Sequence, residues 1–146
     1  NDYSDTFIQL NPIKDDTDSE AAVMYAIEKG YQKIHLYGGL GGRLDHAMIN
    51  LRLVSRFPKT VYLHDENNYI YSLGEGIHSI EKYDYTYISF FTEDESIITL
   101  EGMKYPLTNQ KLTNKDTYTT SNEILEVKGI ITVHAGKVIV IQSKDA

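Results

Sequence analysis

Four glycines within five positions, Gly38, Gly39, Gly41 and Gly42, lead directly into Arg43, Leu44, Asp45 and His46. Such a turn lets the backbone bend sharply and lets a ligand approach the amides, and the start of a following helix offers unsatisfied N–H groups to an anion. The planar guanidinium of Arg43 suits forked contact with phosphate oxygens. A carboxylate at Asp45 would repel a phosphate unless a divalent cation lay between them, so the pair points to phosphate plus magnesium. The same residues admit a structural reading, with Asp45 complementing a helix N-terminus, Arg43 solvated beside it and His46 half-buried. The run lacks the Gly-Lys-Ser/Thr of a P-loop and the third glycine of the dinucleotide fingerprint.

A second acidic cluster precedes it. Asp15, Asp16 and Asp18 lie within "KDDTDSE", residues 14–20. Carboxylates crowded at a helix start repel one another unless the helix N-terminus or a bound cation offsets the repulsion. Thr17 and Glu20 also have the spacing of a capping box, which explains the composition without any ligand. Position adds to this, because ligands of open α/β sheets gather beyond the carboxyl ends of the strands. The acidic helix start and the glycine turn can therefore open toward one crevice.

The elements that position these residues follow from periodicity. Residues 17–30 read as a helix with Ala22, Val23, Ala26 and Ile27 on one face and Gly30 as its stop. "YQKIHLYGG" reads as a short strand running into the glycines, and Leu44, Ala47, Met48, Leu51 and Val54 recur at helical spacing after them. Helix, strand, turn, helix is α/β grammar. Beyond Pro58 the grammar changes to short runs rich in Tyr, Ile, Val and Thr: "TVYLH", "YIYSL", "YTYISFF", "SIITLEG", "ILEVKG", "IITVH" and "KVIVIQS". These predict an antiparallel sandwich or barrel, with "HAGKV" as a hairpin turn. The first recognisable element lies near Asp15, the domains are expected at 1–58 and 59–146, and the polar stretch 108–122 reads as a long loop. Most of the 12 tyrosines fall in or beside strands, where aromatic rings pack well.

Composition excludes several classes. A net charge of −7 argues against a nucleic-acid surface, which needs a basic stripe to displace counterions. No stretch approaches the roughly 18 apolar residues that cross a bilayer, which leaves no expected membrane partner. The absence of cysteine removes disulfides and thiolate chemistry and fits a soluble, cytoplasmic protein.

The blocks taken together are more specific than any one. Lys14 to Glu20, Gly41 to His46 followed by Asn50, "GMKYPLTNQKL" at 102–112 and "TSNE" at 120–123 occur in the order seen in thiamine pyrophosphokinases, and from about Asn11 onward the chain resembles that family. The resemblance implies an α/β fold followed by an all-β part: an open α/β nucleotide-binding layer, of which this chain holds the C-terminal portion, and an antiparallel β-sandwich that binds thiamine. It implies transfer of a pyrophosphoryl group from ATP to the hydroxyl of thiamine, with Mg2+, in a homodimer with shared active sites. By motif, Asp15, Asp18 and Asp45 belong to the acidic set around the metal. Asp45, Arg43 and Asp18 are the expected catalytic groups. Thr17, Gly41, Gly42, Arg43, His46 and Asn50 are expected at the nucleotide, with His46 and Asn50 as supports. Thr120, Ser121 and Asn122 are expected at the thiamine pyrimidine, whereas the residues by themselves also fit a turn before a strand at Ile124. The family's acidic signature of the Asp-Phe-Asp-Ser kind has no match here. The chain is therefore expected to be a fragment that starts after that region and is inactive alone, and the alternative is a non-catalytic binding or dimerisation module.

Overall fold

The computed structural model describes residues 5–10 and 19–146, and the chain divides into two units, Asn1–Ser72 and Leu73–Ala146. In the first unit, strand β1 (Asp5–Gln9), helix α1 (Ser19–Glu28), strand β2 (Lys33–Tyr37), helix α2 (Leu44–Arg56) and strands β3 (Val61–His64) and β4 (Asn68–Leu73) follow in order. The sheet runs β1-β2-β3-β4, with β1, β2 and β3 parallel and β4 antiparallel to β3. β3 and β4 were expected with the all-β part beyond Pro58. They belong to the first unit because β3 continues the parallel sheet, placing Val61 opposite Ile34 and Leu63 opposite Leu36.

Strand β1 is an element the sequence reading did not find. Its side chains alternate across the sheet, so Phe7 falls on the same face as His35. Helix α1 buries Val23 and Ala26 as its spacing predicts, and the chain leaves it through Gly30 at φ +94°, with Tyr31 N donating to Ala26 O. Glu20 pairs with Arg56 Nη1 at 2.6 Å, tying α1 to α2; Thr17 lies outside the described residues. The buried stripe of α2 is Ala47, Asn50, Leu53 and Val54, while Leu44 and Met48 are exposed, so the expected face is rotated. Ser72 Oγ donates to Val54 O at 2.7 Å at the base of this helix.

One face of the first sheet buries Ile34, Leu36, Val61 and Leu63 completely. The other carries a stack of rings: Phe7 on His35 (4.9 Å between centroids), His35 on Tyr62 (5.1 Å), Tyr37 on His64 (4.4 Å) and His64 on Tyr69 (4.7 Å). Within it the His35 and His64 rings share a hydrogen bond of 2.9 Å between Nδ1 and Nε2, and His35 Nε2 meets Asp5 Oδ2 at 3.3 Å. Burial lowers both imidazole pKa values; Asp5 partly opposes this at His35, while His35 lowers His64 further, to about 4.

The folded chain thus holds a proton on His64 less tightly than the unfolded chain, and acid favours unfolding. Stability from this group is complete above the ordinary value of 6.5 and is lost progressively as pH falls toward about 4. That gap corresponds to roughly 3 kcal/mol, which partial solvent access reduces to the order of 2 kcal/mol. Melting temperatures measured between pH 7.5 and 5 should fall for the native chain and fall much less for His64→Gln.

The second unit is all β. Strand β5 (Gly76–Glu81), strand β7 (Glu95–Glu101), strand β8 (Leu107–Thr113) and strand β9 (Lys128–Gly136) form an antiparallel sheet in the order β5-β9-β7-β8. Strand β6 (Tyr87–Phe91) pairs antiparallel with strand β10 (Val138–Ser143), placing Val140 opposite Phe90. Alternate residues are buried: Ile88, Phe90, Val138 and Val140 in one pair, Ile98, Leu100, Leu112, Ile131 and Val133 in the other sheet. Gln142, fully buried among them, donates to Glu81 O at 2.8 Å, which meets the cost of placing an amide there.

Three expectations are corrected in this unit. Residues 108–122 are not one loop, because Leu107–Thr113 is edge strand β8, polar as edges usually are. "ILEVKG" forms no strand of its own; Leu125 and Val127 are exposed, and strand β9 begins only at Lys128. "HAGKV" is not a hairpin, since β9 pairs with β5 and β7 whereas β10 pairs with β6. Gly136 makes the change of sheet at φ +82°, where a Cβ would lie 2.3 Å from Glu95 O.

Candidate functional site

Two clusters hold the expected site residues, one in each unit. The first is the turn between β2 and α2, at the carboxyl end of a parallel strand. Gly38 leaves the strand at φ +84°, its N–H donating to His64 O at 3.1 Å. A Cβ on Gly39 would lie 2.6 Å from Asn50 Nδ2 and 2.8 Å from Leu10 Cδ1, so this position accepts only glycine without rearrangement. Asn50, 4% exposed, donates from Nδ2 to Gly39 O at 2.9 Å and fixes the turn to the helix; its Oδ1 is buried with no partner. By contrast a Cβ on Gly41 meets nothing within 4 Å, and Gly42 stands at φ +75°. The first two glycines satisfy packing, and the second two line an open turn.

Arg43 takes the position before the helix in extended conformation and does not cap it with its side chain. Its guanidinium instead forks onto Asp45, Nε to Oδ1 at 3.2 Å and the Nη2 amine to Oδ2 at 2.7 Å. Asp45 Oδ1 also accepts from His46 N at 2.9 Å. The Arg43 hydrogen bond holds the Asp45 carboxyl below the usual carboxylate range, so it is charged at neutral pH. Both side chains are exposed, at 53% and 61%. Thus a cation, an anion and the N-terminus of a helix share one open turn, and an exposed ion pair of this kind costs little to exchange for other partners.

The turn brings together Gly41, Gly42, Arg43, Asp45, His46 and Asn50. Asp15, Thr17 and Asp18 lie outside the described residues. Among the described residues there is no group of three or more His, Cys, Asp or Glu placed to hold a metal. Asp45 suits magnesium as a single hard oxygen ligand, since Mg2+ commonly takes one or two carboxylates and completes its shell with phosphate and water.

The second cluster is the segment Thr119–Glu123. Its ends are stitched to β6: Phe90 N donates to Thr119 O at 2.9 Å, Ile88 N to Asn122 O at 2.8 Å and Asn122 N to Ile88 O at 2.9 Å. Between them Thr120 and Ser121 face solvent, Ser121 at φ +62°. Asn122 is 4% exposed and its amide is committed: Oδ1 accepts from Tyr105 N and Glu123 N, and Nδ2 donates to Tyr105 O, each at 2.9 Å. The sequence offered Asn122 as a recognition group, and nothing in it marked Tyr105 as the partner. Ser89, whose Oγ accepts from Ser121 N at 2.9 Å, was likewise missed, and Asn50 was expected as a support without its Gly39 partner. The only sequence signal for either is a polar residue at a buried step of a regular element.

Comparison with known proteins gives the same two-part division. The model of the thiamin pyrophosphokinase catalytic domain matches residues 2–64, and that of the thiamin pyrophosphokinase vitamin B1 binding domain matches residues 77–140. The thiamine pyrophosphokinase of Bacillus subtilis (strain 168) is 38% identical over 138 residues, which cover 90% of this chain and 64% of that protein. The crystal structure of a Bacillus subtilis thiamine pyrophosphokinase superposes with a TM-score of 0.83 at 36% identity, over 91% of this chain and 65% of that one. A thiamin pyrophosphokinase family protein from Enterococcus faecalis superposes with a TM-score of 0.77 at 32% identity, over 97% and 70%. The chain therefore spans just under two thirds of the length of the Bacillus relatives.

Proposed function

This chain belongs to the thiamin pyrophosphokinase family, and from that premise we propose that it takes part in pyrophosphoryl transfer from ATP to the hydroxyl of thiamine, giving thiamine diphosphate and AMP. The observation that carries the reading is the open turn after β2, where Arg43 and Asp45 meet the N-terminus of α2 inside the segment that matches the catalytic domain. The Gly41 and Gly42 amides and the helix start hold phosphate oxygens. Arg43 turns from Asp45 to the phosphates and stabilises charge as the bond to the AMP leaving group breaks. Asp45, together with Asp15 and Asp18, would hold magnesium, which would supply charge neutralisation at the phosphates. Thr17 joins the nucleotide side, and His46 and Asn50 act as supports. Asn50 does so through the Gly39 carbonyl.

Thiamine is assigned to the second unit, inside the segment that matches the vitamin B1 binding domain. Thr120 and Ser121 present groups to the pyrimidine edge, and Asn122 frames them. Two copies share active sites in a homodimer, and the protein works in the cytoplasm.

The test is calorimetry with thiamine and with magnesium and ATP, joined to an assay of products. The expected result is binding of both substrates, with any turnover giving AMP and thiamine diphosphate in equal amounts. Failure to bind thiamine, or release of ADP in place of AMP, would sink the proposal.

A further inference from the structure

Ser121 occupies left-handed backbone at φ +62°. A non-glycine residue there is strained and persists only when its surroundings enforce it. The enforcing group is on the neighbouring strand. Ser121 N donates to Ser89 Oγ at 2.9 Å, and Ser89, buried in the middle of β6, lies between Ile88 and Phe90, whose backbones hold Asn122 and Thr119. Thr119 adds a side-chain bond, Oγ1 to Phe90 O at 2.5 Å. The two ends of the Thr119–Asn122 segment are therefore fixed by backbone ladders, and Ser89 supplies an acceptor for the Ser121 amide between them. Without it Ser121 N–H would lose this hydrogen bond at the point where the chain is strained.

On the other side the Asn122 amide locks the same segment to Tyr105 through two bonds of 2.9 Å. The hydroxyl of Thr120 donates to Thr117 O at 2.7 Å, which leaves it only as an acceptor. We propose that Ser89 is a positioning residue for the thiamine site: by fixing the Ser121 backbone it aims the Ser121 hydroxyl at the ligand, while Asn122 acts on the loop and not on the ring. This rests on the assignment of thiamine to the second unit.

The test is a double-mutant cycle read by thiamine and Mg-ATP affinity. Ser89→Ala should weaken thiamine binding about tenfold and leave Mg-ATP binding unchanged. Ser121→Gly accepts φ +62° without strain but has no hydroxyl to aim; in that background Ser89→Ala should cost thiamine affinity nothing further. Ser89→Cys, close in size and a weaker acceptor, should fall between native and Ser89→Ala; it carries the cycle should Ser89→Ala fail to fold. An equal loss from Ser89→Ala with and without the Ser121 hydroxyl, or a parallel loss of Mg-ATP affinity, overturns the positioning role. Native protein that binds no thiamine overturns the site assignment itself, and with it this inference. Native binding unaffected by Ser89→Ala overturns the inference alone.

Discussion

Asp45→Asn is expected to keep the fold and to lose function by about 100- to 1000-fold, the magnitude typical when one group that stabilises transition-state charge is removed. The substitution keeps a side-chain oxygen for the His46 amide, so that hydrogen bond in the first turn of α2 is retained. What it loses structurally is an exposed ion pair with Arg43, and solvent screening leaves such a surface pair little weight in stability. Melting temperature should therefore hardly move. What it loses chemically is a permanently charged hard oxygen in an open turn, which the Arg43 guanidinium keeps ionised. The fall should appear in the degree to which magnesium tightens ATP binding by calorimetry, and in any formation of AMP and thiamine diphosphate. An Asp45→Asn variant with native magnesium dependence would remove Asp45 from the metal site.

Gly39→Ala should lose stability through overpacking beneath the glycine turn. The added methyl would meet Asn50 Nδ2 at 2.6 Å, Leu10 Cδ1 at 2.8 Å and Leu63 Cδ1 at 3.1 Å. Relief requires pushing Asn50 off the Gly39 carbonyl, and Asn50 already has an unpartnered buried oxygen. Overpacking of roughly 1–3 kcal/mol and a lost buried hydrogen bond of about 1 kcal/mol combine to lower the melting temperature by about 5–10 °C. Gly41→Ala is the control two residues away: its methyl enters open space, and the melting temperature should stay within about 1 °C. Equal effects at the two positions would contradict the division of the turn into a packed half and an open half.

These contrasts show what could be read from residues alone. The order strand, glycines, Arg43, Asp45, helix was legible because a turn of that composition is local, and so were the α1 helix and strands β3, β4, β6, β7, β9 and β10. Strand β1 was not, since a five-residue parallel strand takes its register from β2, and Phe7 meets His35 only through that pairing. Strands β5 and β8 were missed because edge positions such as Ser79, Gln110 and Lys111 face solvent and blur the alternation. The glycine at 136 signalled a turn correctly, but whether a turn closes a hairpin or moves the chain to another sheet depends on which partner each strand finds. Asn122 has the chemistry of a recognition group, and only the position of Tyr105 reveals that this capacity is already used.

The ring stack on the first sheet gives the chain an optical identity. There is no tryptophan among its 146 residues, so near-ultraviolet absorption and emission come chiefly from its 12 tyrosines, with a weak contribution from four phenylalanines. Tyr37, Tyr62, Tyr69 and Tyr71 are coupled to one another or to His64 at centroid separations of 4.4–6.0 Å. Close, fixed chromophores of this kind produce circular dichroism that vanishes when the strands separate, so the opening of the α/β unit reports itself without any added label.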